Sequence, residues 1–250
     1  MGPAVHRWPG PVVIAHRGGG SLAPENTLAA MRAGHALGAR GVEFDVMLAA
    51  DAVPVLMHDS EFGRTIAGRG TVSQTPSAAL RTRDAGAWFG ATFAGEPVPL
   101  YAEVLEFCRA RGVWMNVEIK PAPGTEAVTG TVVARATLAA GLPPGLVLFS
   151  SFSRVALAAA REVAPGIARG LLVGALPDDW REALVDLDCV ALHAGHRTLT
   201  PIQAAAVKAA GYGLMCYTVN TIERARTLRG WGVDGLCTDR PDLLLAEALD

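Results

Sequence analysis

One rhythm constrains this chain more than any other feature: short runs rich in Val, Ile and Leu alternate with longer Ala-, Leu- and Arg-rich segments of helical periodicity. Strands are expected at residues 12–16, 41–48, 113–120, 146–150, 168–173, 189–193, 214–219 and 235–239. Helices are expected at 25–37, 101–111, 125–140, 154–163, 178–186, 201–210, 222–231 and 242–249, giving eight of each. Near-continuous apolar strands belong to a parallel sheet covered by helices and packed inside, and strand–helix alternation marks repeated βα units. Boundary residues agree: Thr200-Pro201 and Asn220-Thr221 open helices just after strands, while Gly38, Gly112, Gly141 and Gly211 follow helices.

The expected fold is α/β, a TIM (β/α)8 barrel, for which 250 residues is an ordinary length. An open doubly wound sheet is the alternative, because counting βα units does not prove that a sheet closes. Residues 59–99 interrupt the rhythm with Gly, Thr, Arg, Trp88, Phe89 and Phe93. They read as a short insertion after the second strand, lying over one end of the barrel, so that 1–250 form a single domain.

Charge and hydropathy exclude several classes of partner. Lys plus Arg (22) against Asp plus Glu (24) gives a net charge of -2, with no basic stripe for a nucleic acid or an anionic membrane. No stretch approaches the roughly 20 apolar residues of a membrane helix. The start, MGPAVHRWPGPVVIAHR, lacks a signal-peptide core, and His6 stands where an N-myristoylation signal takes Ser or Thr. Cys108, Cys189, Cys216 and Cys237 form no C-x-x-C pair and read as reduced, buried thiols of a cytoplasmic protein. The apolar content permits a homodimer without identifying its face.

In such a barrel, side chains at the C-terminal strand ends converge on one mouth, which is where active sites lie. The first strand ends in His16-Arg17-Gly18-Gly19-Gly20, the second carries Glu43-Phe44-Asp45 and is followed by Met57-His58-Asp59, and the third ends in Glu118-Ile119-Lys120. Side chains two apart on a strand share a face, so Glu43 pairs with Asp45 and Glu118 with Lys120. Buried carboxylates are costly unless they are paired or ligate a cation. Three of them make a hard-oxygen site suited to Mg2+ or Ca2+; salt bridges with Arg17 and Lys120 are the competing explanation. His16 and His58 titrate near neutrality and are the natural proton carriers. Arg17 offers a fork for a phosphate oxygen, and Gly18 to Gly20 would let backbone N–H groups approach an anion.

His16-Arg17-Gly18, followed by Pro24-Glu25-Asn26-Thr27, resembles the opening signature of glycerophosphodiester phosphodiesterases. The resemblance continues through Glu43-x-Asp45, His58-Asp59, Arg64-Thr65, Asp84-Ala85-Gly86, Glu118-x-Lys120, Thr218-Val219-Asn220, Gly232-Val233-Asp234-Gly235 and Thr238-Asp239, spanning nearly the whole chain. Asp178-Asp179-Trp180-Arg181-Glu182 and the stretch 189–196 resemble the cytoplasmic bacterial branch encoded with glycerol 3-phosphate uptake. The resemblance implies a metal-dependent hydrolase that splits glycerophosphodiesters into sn-glycerol 3-phosphate and an alcohol. It implies that Glu43, Asp45 and Glu118 bind one divalent cation, that His16 and His58 are general acid and base, and that Arg17 and Lys120 lie near the phosphate. Tyr217 stands where many relatives have Trp, which bears on how the glycerol or alcohol is gripped. Pro99-Leu100-Tyr101-Ala102-Glu103 replaces a common Pro-Thr-Leu-Glu-Glu and is expected to touch only packing.

Other residues carry weaker expectations. Lys120 could simply partner Glu118. His193 faces either the mouth or the packing, His196 sits in a loop, and His6 and His35 are surface residues. Phe152, Tyr217 and the pair Trp88-Phe89 are candidate pocket walls. Asp239 is expected to support a functional residue or to cap a helix. Two other functions compete with hydrolysis: a phospholipase-type lyase forming a cyclic phosphate, which must reach a bilayer, and a barrel that only binds a phosphorylated polyol.

Overall fold

The computed structural model describes residues 8–247 and 249. The amino-terminal readings that rest on residues 1–7, His6 among them, lie outside the described residues, as do 248 and 250 of the last expected helix.

The strands are β1 (Val13–Ala15), β2 (Gly41–Leu48), β3 (Pro54–Leu56), β4 (Trp114–Ile119), β5 (Val147–Ser151), β6 (Ala168–Val173), β7 (Ala191–Gly195), β8 (Gly213–Tyr217) and β9 (Gly235–Thr238). Hydrogen bonds run in the order β1-β9-β8-β7-β6-β5-β4-β2, and β1 pairs again with β2 through Ala15↔Val42. That last pairing closes the sheet into a barrel of eight parallel strands and rules out the open sheet. β3 runs antiparallel to the end of β2, with Val46↔Leu56 and Met47↔Val55, outside the closed ring. It went unforeseen because three residues starting with Pro carry no periodicity, and Pro belongs at a strand's first position or on an edge.

The helices are α1 (Leu28–Ala36), α2 (Ser77–Leu80), α3 (Tyr101–Arg111), α4 (Glu126–Ala139), α5 (Arg154–Val163), α6 (Trp180–Asp186), α7 (Pro201–Ala209), α8 (Ile222–Gly230) and α9 (Pro241–Leu244). Caps fix their starts: the hydroxyls of Thr27, Ser153, Thr200 and Thr221 accept from the backbone N–H three residues on. α3 stops at Gly112, whose φ of 63° is the left-handed cap conformation. α2 lies in the insertion, and α9 is shorter than the periodicity suggests.

Alternation along the strands sorts side chains into two cores. Val42, Phe44 and Val46 of β2 face the helices, with the Phe44 ring 6.1 Å from that of Tyr101. Inside the barrel, Ile14, Trp114, Leu148, Met215 and Cys237 form a second cluster over which Trp8 packs. The Trp8 ring lies 5.6 Å from Trp114 and 5.7 Å from His193. Its bulk explains a glycine: a Cβ on Gly235 would sit 2.7 Å from the indole. Ile66, Val72, Leu80, Ala85 and Val98 of the insertion build a small core with Val55 and Met57, packed on Met47 and Ala49 at the end of β2. Among the described residues no helix is long and apolar enough to cross a membrane, and all four cysteines are free and buried.

Candidate active site

β1 ends at Ala15, so His16 and Arg17 are the first residues past a barrel strand. The His16 N–H still donates to Thr238 O at 2.9 Å, extending the β1–β9 ladder into the mouth. The loop that follows crosses the backbone of Asp239 so closely that a Cβ on Gly20 would lie 2.3 Å from its carbonyl oxygen. Ser21 stitches the crossing, donating to Asp239 O from its N–H at 2.8 Å and its hydroxyl at 2.9 Å. The amides of Gly18 and Gly20 donate within this turn, to Ala15 O and His16 O. The glycines therefore serve close packing here; the anion nest expected of them is not what those two amides form.

Two histidine–carboxylate pairs result. Nδ1 of His16 lies 2.6 Å from Asp239 Oδ1, and Nδ1 of His58 lies 2.6 Å from Asp59 Oδ1. A carboxylate only accepts, so each pair puts the imidazole proton on Nδ1 and leaves Nε2 free. Asn220, past β8, holds Asp239 by donating to Oδ2 at 2.9 Å and accepting from its N–H at 2.9 Å. Asp59 is held by Arg64 Nε at 2.6 Å. Arg64 also forks onto Glu25 at 2.7 Å through both terminal nitrogens, and Arg17 reaches Glu25 Oε1 at 2.7 Å. The insertion is thereby tied to the loop after β1 by a chain of charge-assisted bonds.

The three expected carboxylates do converge: Glu43, Asp45 and Glu118 each offer an oxygen, and these lie within 4.8 Å of one another. That span matches oxygens around one hard divalent cation with bonds of about 2.0–2.6 Å. Glu43 and Asp45 are buried. Burial and the neighbouring Asp45 push Glu43 up to about 7. Burial, Asp45 and Glu43 together raise Glu118 well above the carboxylate range. Asp45 is buried as well, yet Lys120 and Arg17 outweigh that and hold it low. Its partners are Lys120 Nζ at 3.2 Å, Arg17 Nε at 3.7 Å and the Asn26 amide at 2.8 Å. So the salt-bridge explanation accounts for Asp45 alone. Glu43 accepts the Arg17 N–H at 3.0 Å, and Glu118 has no hydrogen bond or ion pair among the described residues. An all-oxygen set with two carboxylates short of compensation fits a bound cation.

The histidines are tuned in opposite directions. Burial acts to lower His16, but the bond to Asp239 and the charge of Glu43 raise it overall. His58 is lowered, by burial and by the cations Arg17 and Lys120. One cleft of about 520 Å³ opens beside His58, Asp59, Arg64 and Lys120. A second, of about 390 Å³, opens beside Asp239, Asn220, Tyr217 and Arg197.

The remaining expected residues separate. Lys120 partners Asp45 and not Glu118. Tyr217 is on the mouth but its hydroxyl donates to Val173 O at 2.8 Å, leaving the ring as its free surface beside exposed Phe152, 6.2 Å away. His193 is fully buried in the barrel interior against Trp8, which removes it from the mouth. His196 is engaged by Arg224 at 3.2 Å. Sequence reasoning missed the Glu25–Arg64 bridge and the support of Asp45 by Asn26, although both residues stand inside the quoted motifs.

Comparison with known proteins agrees with this geometry. Residues 16–243 match the Glycerophosphoryl diester phosphodiesterase family. A glycerophosphodiester phosphodiesterase of Caldanaerobacter subterraneus subsp. tengcongensis is 34% identical over 239 residues, covering 94% of this chain and 96% of the relative. The structure of an Oleispira antarctica phosphodiesterase in complex with the product sn-glycerol-3-phosphate superposes with a TM-score of 0.90 at 39% identity, covering 94% of this chain and 96% of that one. An Agrobacterium tumefaciens glycerophosphodiester phosphodiesterase superposes with a TM-score of 0.79 at 28% identity, over 95% of this chain and 100% of that one. The closed barrel, the paired histidines and the acidic cluster are thus those of a chain that belongs to the glycerophosphoryl diester phosphodiesterase family.

Proposed function

We propose that this chain hydrolyses glycerophosphodiesters to sn-glycerol 3-phosphate and an alcohol, with His16 and His58 as general acid and base and Glu43, Asp45 and Glu118 holding one divalent cation, Mg2+ or Ca2+. The observation that carries the reading is the grouping of three carboxylate oxygens within 4.8 Å of one another beside two imidazoles whose Nδ1 protons are each fixed by an aspartate. The names of the relatives support the same substrate class, and the Oleispira antarctica structure holds the corresponding product.

A bound divalent cation supplies charge neutralisation of non-bridging phosphate oxygens. The chain's own groups do the rest. Arg17 and Lys120, both anchored on Asp45, present positive charge where the phosphate must sit. His58, lowered by its cationic neighbours, stands neutral and takes the proton of the attacking hydroxyl at Nε2. His16, raised by Asp239 and Glu43, gives its proton to the leaving alkoxide. Proton transfers of this kind are worth about 10²–10⁴ each in rate. The two clefts, one beside His58 and one beside Asp239, the partner of His16, suit a diester whose arms leave the phosphorus in different directions, and Tyr217 lines the second.

The test is release of sn-glycerol 3-phosphate from glycerophosphocholine and glycerophosphoethanolamine, with and without chelator. Turnover that stops in EDTA and returns with Mg2+ or Ca2+ is the expected result. Turnover that survives thorough chelation removes the cation, and absence of turnover on every glycerophosphodiester removes the hydrolase.

A further inference from the structure

Next to the oxygen cluster the barrel assembles a second, chemically different donor set. A ring nitrogen of His16, a carboxylate oxygen of Glu43 and the Sγ of Cys237 lie within 4.8 Å of one another. Glu43 and Cys237 lie on β2 and β9, and His16 directly follows β1, which pairs with both at the closure of the barrel. From this grouping we infer a second metal site, for a thiophilic divalent cation such as Zn2+, which shares Glu43 with the hard-oxygen site and competes with the ion there for that carboxylate.

The three donors are of the types that zinc takes. Nδ1 of His16 is committed to Asp239 at 2.6 Å, so Nε2 is the nitrogen left for a metal, and it already lies 3.8 Å from Glu43 Oε2. A carboxylate on the far nitrogen is the usual support of a zinc-bound histidine, fixing its tautomer and raising its basicity. Tetrahedral zinc, with bonds of about 2.0–2.3 Å, spaces its ligand atoms roughly 3.3–3.8 Å apart. The donors, within 4.8 Å of one another, must draw closer as the ion enters. As the sulfur–metal bond forms, the Cys237 thiol releases its proton to solvent. Thiolate and carboxylate then balance the dication, and the fourth position stays open, the pattern of three-ligand zinc sites.

The sulfur is what separates this site from its neighbour. Mg2+ and Ca2+ take oxygen donors, whereas Zn2+ gains from thiolate and imidazole. Packing alone does not call for a thiol at this position, because Cys237 sits among Ile14, Leu148 and Met215. Binding itself depends only on the three donors. Its effect on turnover rests on the proposed function, in which His16 and Glu43 are both used: Zn2+ here withdraws them together, and inhibition follows.

Cobalt tests binding without any substrate. Co2+ is titrated into chelator-stripped protein while near-ultraviolet absorption is followed for thiolate-to-cobalt charge transfer, with Zn2+ affinity measured in parallel by calorimetry. The band should form in the wild-type protein and be absent from both Cys237→Val and Cys237→Ala, with Zn2+ affinity falling by more than the roughly 10–100-fold typical of losing a partner behind a metal ligand. Cys108, Cys189 and Cys216 belong to the helix-facing core and remain in the variants, so a band that persists in either folded variant overturns the site. Absence of the band in the wild-type protein overturns it too. Saturating Mg2+ or Ca2+ should displace the band through Glu43, and a band indifferent to both sinks the competition. In the Mg2+-supported assay, Zn2+ should inhibit with a midpoint that rises with Mg2+. An enzyme with no turnover would defeat the hydrolase reading and leave the cobalt result standing on its own.

Discussion

His16 and Asp239 stand 223 positions apart and share a 2.6 Å hydrogen bond from Nδ1–H to Oδ1. The bond exists because β1 and β9, the two ends of the strand series, are neighbours in the closed barrel. It holds the His16 ring in one tautomer and favours its protonated form.

Asp239→Asn keeps the shape and removes the charge. Because the carboxylate raises His16, its loss lowers the pH at which the protonated imidazole disappears. The alkaline limb of kcat against pH should therefore move to lower pH, and kcat should fall by about 10²–10⁴. A pH–rate profile of the variant decides it: near-wild-type kcat with an unmoved limb would show that Asp239 only caps structure.

Glu118→Gln separates stability from ion binding. Glu43 and Glu118 both titrate above their ordinary value of 4.5 in the fold, Glu43 at about 7. The native state then holds more protons than the unfolded one, so the metal-free protein loses stability as pH rises from 4.5 through that range. A neutral amide at 118 removes one carboxylate from the cluster. The chelated variant should melt a few degrees above chelated wild type at pH 8, where 1 kcal/mol is worth about 2–4 °C, and the gap should close toward pH 4.5. Mg2+ or Ca2+ should raise the wild-type Tm and leave the variant's unchanged. Equal Tm gains from the ions in both proteins would remove Glu118 from the ligand set.

The sequence reading and the structure part company where distance along the chain matters. The barrel strands were legible because a parallel strand buried on both faces must be apolar along its length. Glu43, Asp45 and Glu118 stood out because polar side chains at a period of two break that rule. Strand β3 was too short to show a period. The partner of His16 was hidden because nothing in the sequence states that the first and last strands touch. Cys237 was legible as buried, yet its place beside His16 and Glu43 follows from that same closure.

Trp8 and Gly235 offer a packing test of the barrel interior. A Cβ at 235 would meet the indole at 2.7 Å, so Gly235→Ala should cost about 1–3 kcal/mol. In a Trp8→Ala background, itself destabilised by about 3–5 kcal/mol, most of that cost should vanish. Urea melts of the four proteins give the coupling directly; strictly additive losses would mean the ring does not fill that space.

Arg169 shows how an outward-facing cation can be structural. It is almost wholly buried on β6, yet it donates to the carbonyls of Leu187, Ile167 and Asp188 and to the Asp188 carboxylate at 2.6 Å. Arg169→Met strands the backbone carbonyls, while the exposed Asp188 carboxylate returns to water, and should lower stability by about 1–3 kcal/mol. Denaturant midpoints measure it, and a loss within about 0.5 kcal/mol, typical of a plain surface position, would refute the staple.

His193 makes the acid side of the stability curve predictable. Among the described residues neither of its ring nitrogens finds a hydrogen-bond partner, and burial drives its pKa down from 6.5 to about 3. Its folded value lies below its unfolded one, so between these limits the unfolded chain binds the extra proton. Stability is therefore whole above pH 6.5 and drains as pH falls toward 3, by up to about 1.4 kcal/mol per pH unit from this residue. His193→Leu keeps an apolar group of similar bulk beside Trp8 and has no proton to take up. Its Tm at pH 7.5 should match or exceed that of wild type, since two stranded nitrogens are gone, and its decline between pH 6.5 and pH 4.5 should be shallower. Thermal melts of both proteins across that window give the difference in slope. Parallel slopes would mean that His193 already carries a proton partner inside the barrel, and its unpaired burial would have to be given up.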